Sequence, residues 1–139
     1  MTKIINIKNF KSIKKKLTNK KVVMCHGVFD LLHLGHILHF EEAKKMGDIL
    51  IVSVTSDKYV NKGYGRPHFK ISERIKSLTA LSFVDYVIES NFPTAEHNIK
   101  KIKPDIYCKG SEYSKSSRDV TKNIIKEKQL IKKINAEIR

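Results

Sequence analysis

The chain has 139 residues, enough for one hydrophobic core and too few for two ordinary domains. Its 28 basic and 14 acidic side chains give a formal charge of +14, concentrated in residues 11–21 and 122–139, where lysines alternate with isoleucines and leucines at helical spacing. That is the pattern of a solvated helix face, and without interleaved aromatic residues it argues against nucleic acid as the partner.

Residues Ile7 to Thr18 have the spacing of an amphipathic helix, and Val22 to Phe29 read as a first strand. A helix is expected from about His36 to Met46, closed by Gly47 as its C′ residue. Ile49 to Thr55 is apolar on both faces, as a strand inside a parallel sheet must be. The segment Lys58 to Lys70, with Gly63, Gly65 and Pro67 among basic residues, reads as a flap. Ser72 to Leu81 is predicted as a helix with Ser72 as its N-cap, and Val84 to Ile88 as a third strand. Thr94 to Ile102, between Pro93 and Pro104, is a further helix. Ile106 to Lys109 is a fourth strand and Val120 to Ile138 a long basic helix. Strands alternating with helices at these lengths predict an α/β protein with a Rossmann-like parallel sheet and flanking helices. Ligands of such sheets bind at the carboxyl ends of the strands, where the turns after Phe29, Ser56, Ile88 and Lys109 fall.

The run Gly27-Val28-Phe29-Asp30-Leu31-Leu32-His33-Leu34-Gly35-His36 places two imidazoles around a glycine where a strand gives way to a helix. A helix N-terminus carries unpaired N–H groups and partial positive charge, so phosphate is the expected ligand. Gly35 admits it close to the backbone, and His33 and His36 can donate to its oxygens. Arg66 and Arg74 offer planar forks for phosphate, and Lys58 and Lys62 are candidates for an acceptor phosphate. Asp30 is expected to order the turn that carries the histidines. His26, His39, His68 and His97 read as ordinary packing or surface histidines, with His26 near enough to the turn to line a pocket. Cys25 and Cys108 lie at strand ends and read as small buried hydrophobes, two cysteines being too few for a disulfide framework or a four-ligand zinc site.

With Gly47 to Asp57, Gly65-Arg66-Pro67, Ser72-Glu73-Arg74, Val84 to Val87 and Lys103 to Tyr113 following in order, the chain resembles the cytidylyltransferase-like nucleotidyltransferases of HxGH signature. Within that family it is most similar to the transferase domain of ADP-heptose synthase and, further off, to glycerol-3-phosphate cytidylyltransferase. The resemblance implies transfer of a nucleotidyl group from CTP or ATP to a phosphorylated sugar or polyol for surface glycan, with pyrophosphate released and Mg²⁺ as cofactor. It implies His33, His36 and Arg74 as catalytic residues. Nucleotide contacts follow from Gly27, Val28, Phe29, Gly35, Lys109, Gly110 and Glu112, and acceptor-phosphate contacts from Lys58, Lys62 and Arg66. Glu112 stands where relatives carry aspartate. A basic nucleic-acid-binding module and a non-catalytic nucleotide-binding domain are the alternatives.

No apolar run reaches the ~18 residues of a membrane span, and the lysine-rich N-terminus lacks a secretory signal, so a cytoplasmic protein with no membrane partner is expected. Relatives continue past the position of Arg139 into a further strand and a Ser/Thr-rich turn. Residues 1–139 are therefore expected to be a single transferase domain, either the N-terminal part of a longer, kinase-fused protein or a short form. In both cases the fourth strand would keep an open edge and favour a homodimer.

Overall fold

The computed structural model describes residues 3–60, 65–109, 128–130, 132 and 137–138. In chain order the elements are β1 (Lys3–Ile5), α1 (Phe10–Lys14), β2 (Val22–Gly27), α2 (Leu34–Lys45), β3 (Ile49–Thr55), α3 (Ile71–Thr79), β4 (Tyr86–Ser90), α4 (Glu96–Ile102), β5 (Ile106–Tyr107) and β6 (Glu137–Ile138). The six strands form one parallel sheet in the order β1-β4-β3-β2-β5-β6. Strand order reverses around β2, since the chain moves from β2 to β3 on one side and later returns to place β5 on the other. A crevice at the carboxyl ends is the consequence of such a reversal.

Alternation along the central strands divides the core into two layers. Met24, Ile51 and Ile88 face a layer built with Phe10, Leu17, Ile99 and Ile102, contributed by α1, α4 and the turn after α1. Val23, Cys25, Val52 and Val87 face a second layer with Phe40, Ala43, Ile75 and Leu78 of α2 and α3. β3 is the strand most completely enclosed, which is why its sequence is apolar without a polar face.

At the amino edge, an aspartate one residue before each of three strands accepts a backbone N–H at or next to the start of a neighbouring strand. Asp48 accepts from Lys21 N–H, Asp85 from Leu50 N–H and Asp105 from Val22 N–H, each at 2.8 Å. Asp85 also takes the Lys44 ammonium at 2.7 Å, so it joins α2 to the sheet. Asp85→Ala is expected to cost about 1–3 kcal/mol, because it leaves the N–H of fully buried Leu50 without a partner. Urea denaturation would show this as a lower midpoint at unchanged slope.

The structure corrects four expectations. The predicted helix to Ile138 does not persist: residues 128–130 and 132 are helical, but Glu137–Ile138 is a strand paired in parallel with Ile106–Tyr107. The edge of β5 is therefore covered, and the open edge expected there does not exist. Lys70, not Ser72, precedes the first turn of α3, with Glu73 accepting from its N–H. Gly47 follows the C-cap Met46 as the C′ residue expected of it, though without a left-handed conformation, the one glycine with positive φ among the described residues being Gly65. A Cβ at Gly47 would stand 2.7 Å from Lys21 O and 2.8 Å from Val23 Cγ2. Close approach of the helix end to β2 is what demands glycine there. Finally, β1 occupies the other edge, where no strand was predicted.

Candidate active site: a self-capped imidazole pair

β2 ends at Gly27 and α2 begins at Leu34, so the intervening turn sits at the carboxyl edge beside the strand-order reversal. His33 is the N-cap of α2, and its Nδ1 accepts the N–H of Gly35 at 3.0 Å. Nδ1 of His36 accepts the N–H of His33 at 3.3 Å. Each ring thus spends Nδ1 on the backbone, which puts the proton of the neutral imidazole on Nε2. The ring centroids are 4.0 Å apart. The arrangement differs from a bare helix N-terminus in that one backbone donor, Gly35 N–H, is already taken by a ring that offers its own N–H instead.

Gly35 is required for this geometry. A Cβ there would lie 2.7 Å from Cε1 and 3.0 Å from Nδ1 of His33. Gly35→Ala is expected to rotate the His33 ring off its cap while leaving stability nearly unchanged, since better helix propensity offsets the lost cap, each worth about 1 kcal/mol. A displacement of this size costs roughly 10²-fold in turnover. Thermal melting alongside steady-state rates would separate the two effects.

The same turn holds Phe29 at φ 51°, a conformation uncommon for a bulky residue and costing about 1–3 kcal/mol. Its ring meets His36 edge-on at 5.7 Å and Phe40 at 5.0 Å, so the strained backbone places an apolar buttress behind His36. Gly27 makes room for it: a Cβ at Gly27 would approach the Phe29 ring to 2.9 Å.

Arg74 is buried under this turn. Its Nε donates to Phe69 O at 3.0 Å, Nη1 to Val28 O at 2.8 Å and Thr55 O at 2.7 Å, and Nη2 to Asp57 Oδ1 at 2.6 Å. One guanidinium therefore fastens the ends of β2 and β3 to the start of α3. Asp30 does not order the histidine turn as expected. It accepts from the N–H groups of His68 at 2.7 Å and Phe69 at 2.9 Å and pairs with Arg66 at 3.4 Å, tethering the far half of the 58–70 loop. Burial pushes its carboxyl up, but the backbone hydrogen bonds from His68 and Phe69, the charge of His68 and the side-chain hydrogen bond from Arg66 outweigh it and hold the group below the usual carboxylate value.

Behind the turn lies a buried polar chain that the sequence did not announce. Asn98 Nδ2 donates to Ser53 Oγ at 2.9 Å, and Ser53 Oγ meets His26 Nδ1 at 2.9 Å. His26 Nε2 contacts Thr55 Oγ1 at 3.4 Å, which donates to Gly27 O at 3.4 Å. Burial lowers the His26 pKa to about 4, so it is neutral near pH 7. Asn98 Oδ1, Ser56 Oγ and Ser90 Oγ are buried with no hydrogen-bond partner among the described residues.

Of the residues singled out in the sequence, Gly27, Val28, Phe29, His33, Gly35 and His36 come together in one turn, with Arg74 beneath it. Lys58 lies in the short helical turn after β3, its ammonium 5.5 Å from the Tyr59 ring centroid. Arg66 is held by Asp30. Lys109 follows β5 and stacks its ammonium 5.6 Å over Tyr107. Lys62, Gly110, Glu112 and the segment 120–127 lie outside the described residues.

A parallel sheet that presents paired imidazoles at a helix N-terminus is the fold of the HxGH nucleotidyltransferases. Residues 24–137 match the family model described as cytidylyltransferase-like, and the chain belongs to that family. It is 39% identical over 131 residues to the bifunctional protein HldE of Campylobacter concisus, covering 93% of this chain and 28% of that protein. To HldE of Campylobacter jejuni it is 41% identical over 118 residues, 84% of this chain and 25% of the relative. The chain thus spans about a quarter of the length of these relatives. Among solved structures, the lipopolysaccharide core biosynthesis protein of Thermoplasma volcanium superposes with a TM-score of 0.70 at 32% identity, covering 86% of this chain and 93% of that one. Pantoate-beta-alanine ligase of Francisella tularensis, at 22% identity and a TM-score of 0.65 over 100% of this chain and 66% of its own, shares the fold.

Proposed function

We propose that residues 1–139 form one transferase domain that couples CTP or ATP to a phosphorylated sugar or polyol used in surface-glycan synthesis. A phosphate oxygen of the acceptor attacks the α-phosphorus, the bond to the β-phosphate oxygen breaks, and pyrophosphate leaves with the electron pair. The observation that carries this reading is the pair of Nδ1-anchored imidazoles of His33 and His36. Their Nε2–H groups are the donors for charge that builds on the α-phosphate and the leaving group. Neither ring acts as a nucleophile, and no covalent intermediate is required. Arg74, with four donor contacts inside the protein, positions the turn rather than gripping phosphate. Arg66 and Lys58 on the following loop, with Lys62, are assigned the acceptor phosphate, and Gly27, Val28, Phe29, Gly35, Lys109, Gly110 and Glu112 the nucleotide.

Mg²⁺ fits this site as the companion of the triphosphate. Among the described residues no group of carboxylates converges on one point, and Asp30 and Asp57 are engaged by the loop and by Arg74. Mg²⁺ would then supply neutralisation of charge on the polyanion, with no carboxylate of the described residues assigned to hold it. The name of the Thermoplasma volcanium structure supports a glycan precursor as product. With the β5 edge covered, the support for a homodimer comes instead from Leu31, Leu34 and Leu38, about half or more exposed at the start of α2. No described helix is long and apolar enough to cross a membrane.

The test is pyrophosphate release from each of four nucleoside triphosphates with Mg²⁺ and a panel of sugar and polyol phosphates. Release that requires one triphosphate and one acceptor together is the expected result. Tight nucleotide binding with no release for any pair would leave a non-catalytic domain, and salt-sensitive RNA binding without nucleotide binding would overturn the reading.

A further inference from the structure

Away from the imidazole pair, the described residues bring together one group of three metal-ligating side chains, Cys25, Cys108 and His39, whose ligand atoms all lie within 4.8 Å of one another. The topology produces the meeting. Met24 of β2 stands opposite Tyr107 of β5, and Cys108 N–H donates to Met24 O at 2.9 Å, so the next residues, Cys25 and Cys108, are lateral neighbours. Both belong to the core layer covered by α2, from which His39 comes, one turn beyond His36. The cysteines are buried and not in a disulfide, and half-buried His39 gives an ion a way in.

We propose that Cys25, Cys108 and His39 bind one thiophilic divalent metal ion, zinc by its chemistry, at a site separate from the one that handles the triphosphate. Two thiolates and an imidazole select zinc over magnesium, which takes oxygen ligands. Two thiolates on a tetrahedral zinc stand about 3.8 Å apart, for Zn–S bonds of about 2.3 Å, so small side-chain rotations close the site, and water completes the fourth position. Binding releases one proton from each thiol as the two metal–sulfur bonds form, so affinity rises with pH. The ion ties β2, β5 and α2 together. Its ligands lie two residues before Gly27, one residue before Lys109 and three residues after His36, so the bound ion would stiffen the frame of the phosphate site without touching substrate.

Titration of the reduced full chain with Co²⁺ is the direct test. The expected result is one ion per chain, with thiolate-to-cobalt charge-transfer absorption and the intense visible bands of tetrahedral cobalt. Zn²⁺ should bleach these bands and raise the melting temperature, while excess Mg²⁺ should do neither. Cys25→Ala and Cys108→Ala should each abolish the charge-transfer bands, and His39→Gln should weaken binding while keeping them. Absence of sulfur-to-cobalt absorption in the reduced wild type overturns the proposal whether or not the cysteine variants fold. Three other results overturn it equally: unchanged binding in folded Cys25→Ala, displacement of the cobalt by Mg²⁺, and ready formation of a Cys25–Cys108 disulfide under saturating zinc.

Discussion

His36→Ala is expected to lower kcat by roughly 10²–10³-fold while the protein folds and still binds nucleotide. The ring is set from two directions, by the His33 N–H on Nδ1 at 3.3 Å and by the edge of Phe29 at 5.7 Å. A donor so fixed needs no reorganisation as charge develops on the phosphates, which is where its value lies. Alanine removes that donor and leaves the N-cap made by His33 in place, so the loss falls on the chemical step. Pyrophosphate release gives kcat, calorimetry gives nucleotide affinity, and circular dichroism reports the fold. Wild-type kcat in a folded variant would strip His36 of the role. His33→Ala should lose activity similarly and, because His33 caps α2, about 1 kcal/mol of stability as well.

The largest stability effect is expected from Arg74→Met, a loss of about 3 kcal/mol or more. The guanidinium is fully buried and satisfies the carbonyls of Val28, Thr55 and Phe69. Methionine fills much of the volume but leaves those three acceptors without donors, each costing about 1–3 kcal/mol where water cannot reach. Asp57 contributes little to the loss, since its side chain is 43% exposed and rehydrates. Arg74→Lys should recover little, because one ammonium cannot span the positions that the planar fork reaches. Turnover should fall too, since Val28 O marks the end of β2 just before strained Phe29. Urea denaturation measures the first effect, and a loss below about 1 kcal/mol would reject the network as a structural tie.

The central parallel sheet was legible because its strands carry an unmistakable pattern. β3 appears with the predicted bounds, being apolar on both faces, and the imidazole pair follows from its spacing at a strand-to-helix turn. β1 and β6, three and two residues long, are too short to show a period, and β6 was absorbed into the basic helix predicted around it. Asp30 was assigned to its own turn because its true partners, His68 and Phe69, lie 38 and 39 residues away. The motif around Arg74 marked the residue as important without telling phosphate from peptide carbonyl, since backbone acceptors leave no trace in side-chain sequence. The positive φ of Phe29 was hidden for the opposite reason: bulky residues rarely adopt it, and only the neighbouring Gly27 hints at the crowding.

The two outermost strands occupy opposite flanks of the sheet, five strand spacings or about 24 Å apart, and run in the same direction. The polypeptide therefore enters β1 at the end where Asp48, Asp85 and Asp105 sit and leaves β6 at the end where His33 and His36 sit. Purification tags and fluorescent fusions will not behave alike at the two attachment points. Joined ahead of β1, a tag hangs from the edge of the sheet opposite the imidazole pair. Joined behind β6, it starts at the crevice mouth beside β5, where a basic or bulky label would compete for the same phosphates that the assay follows.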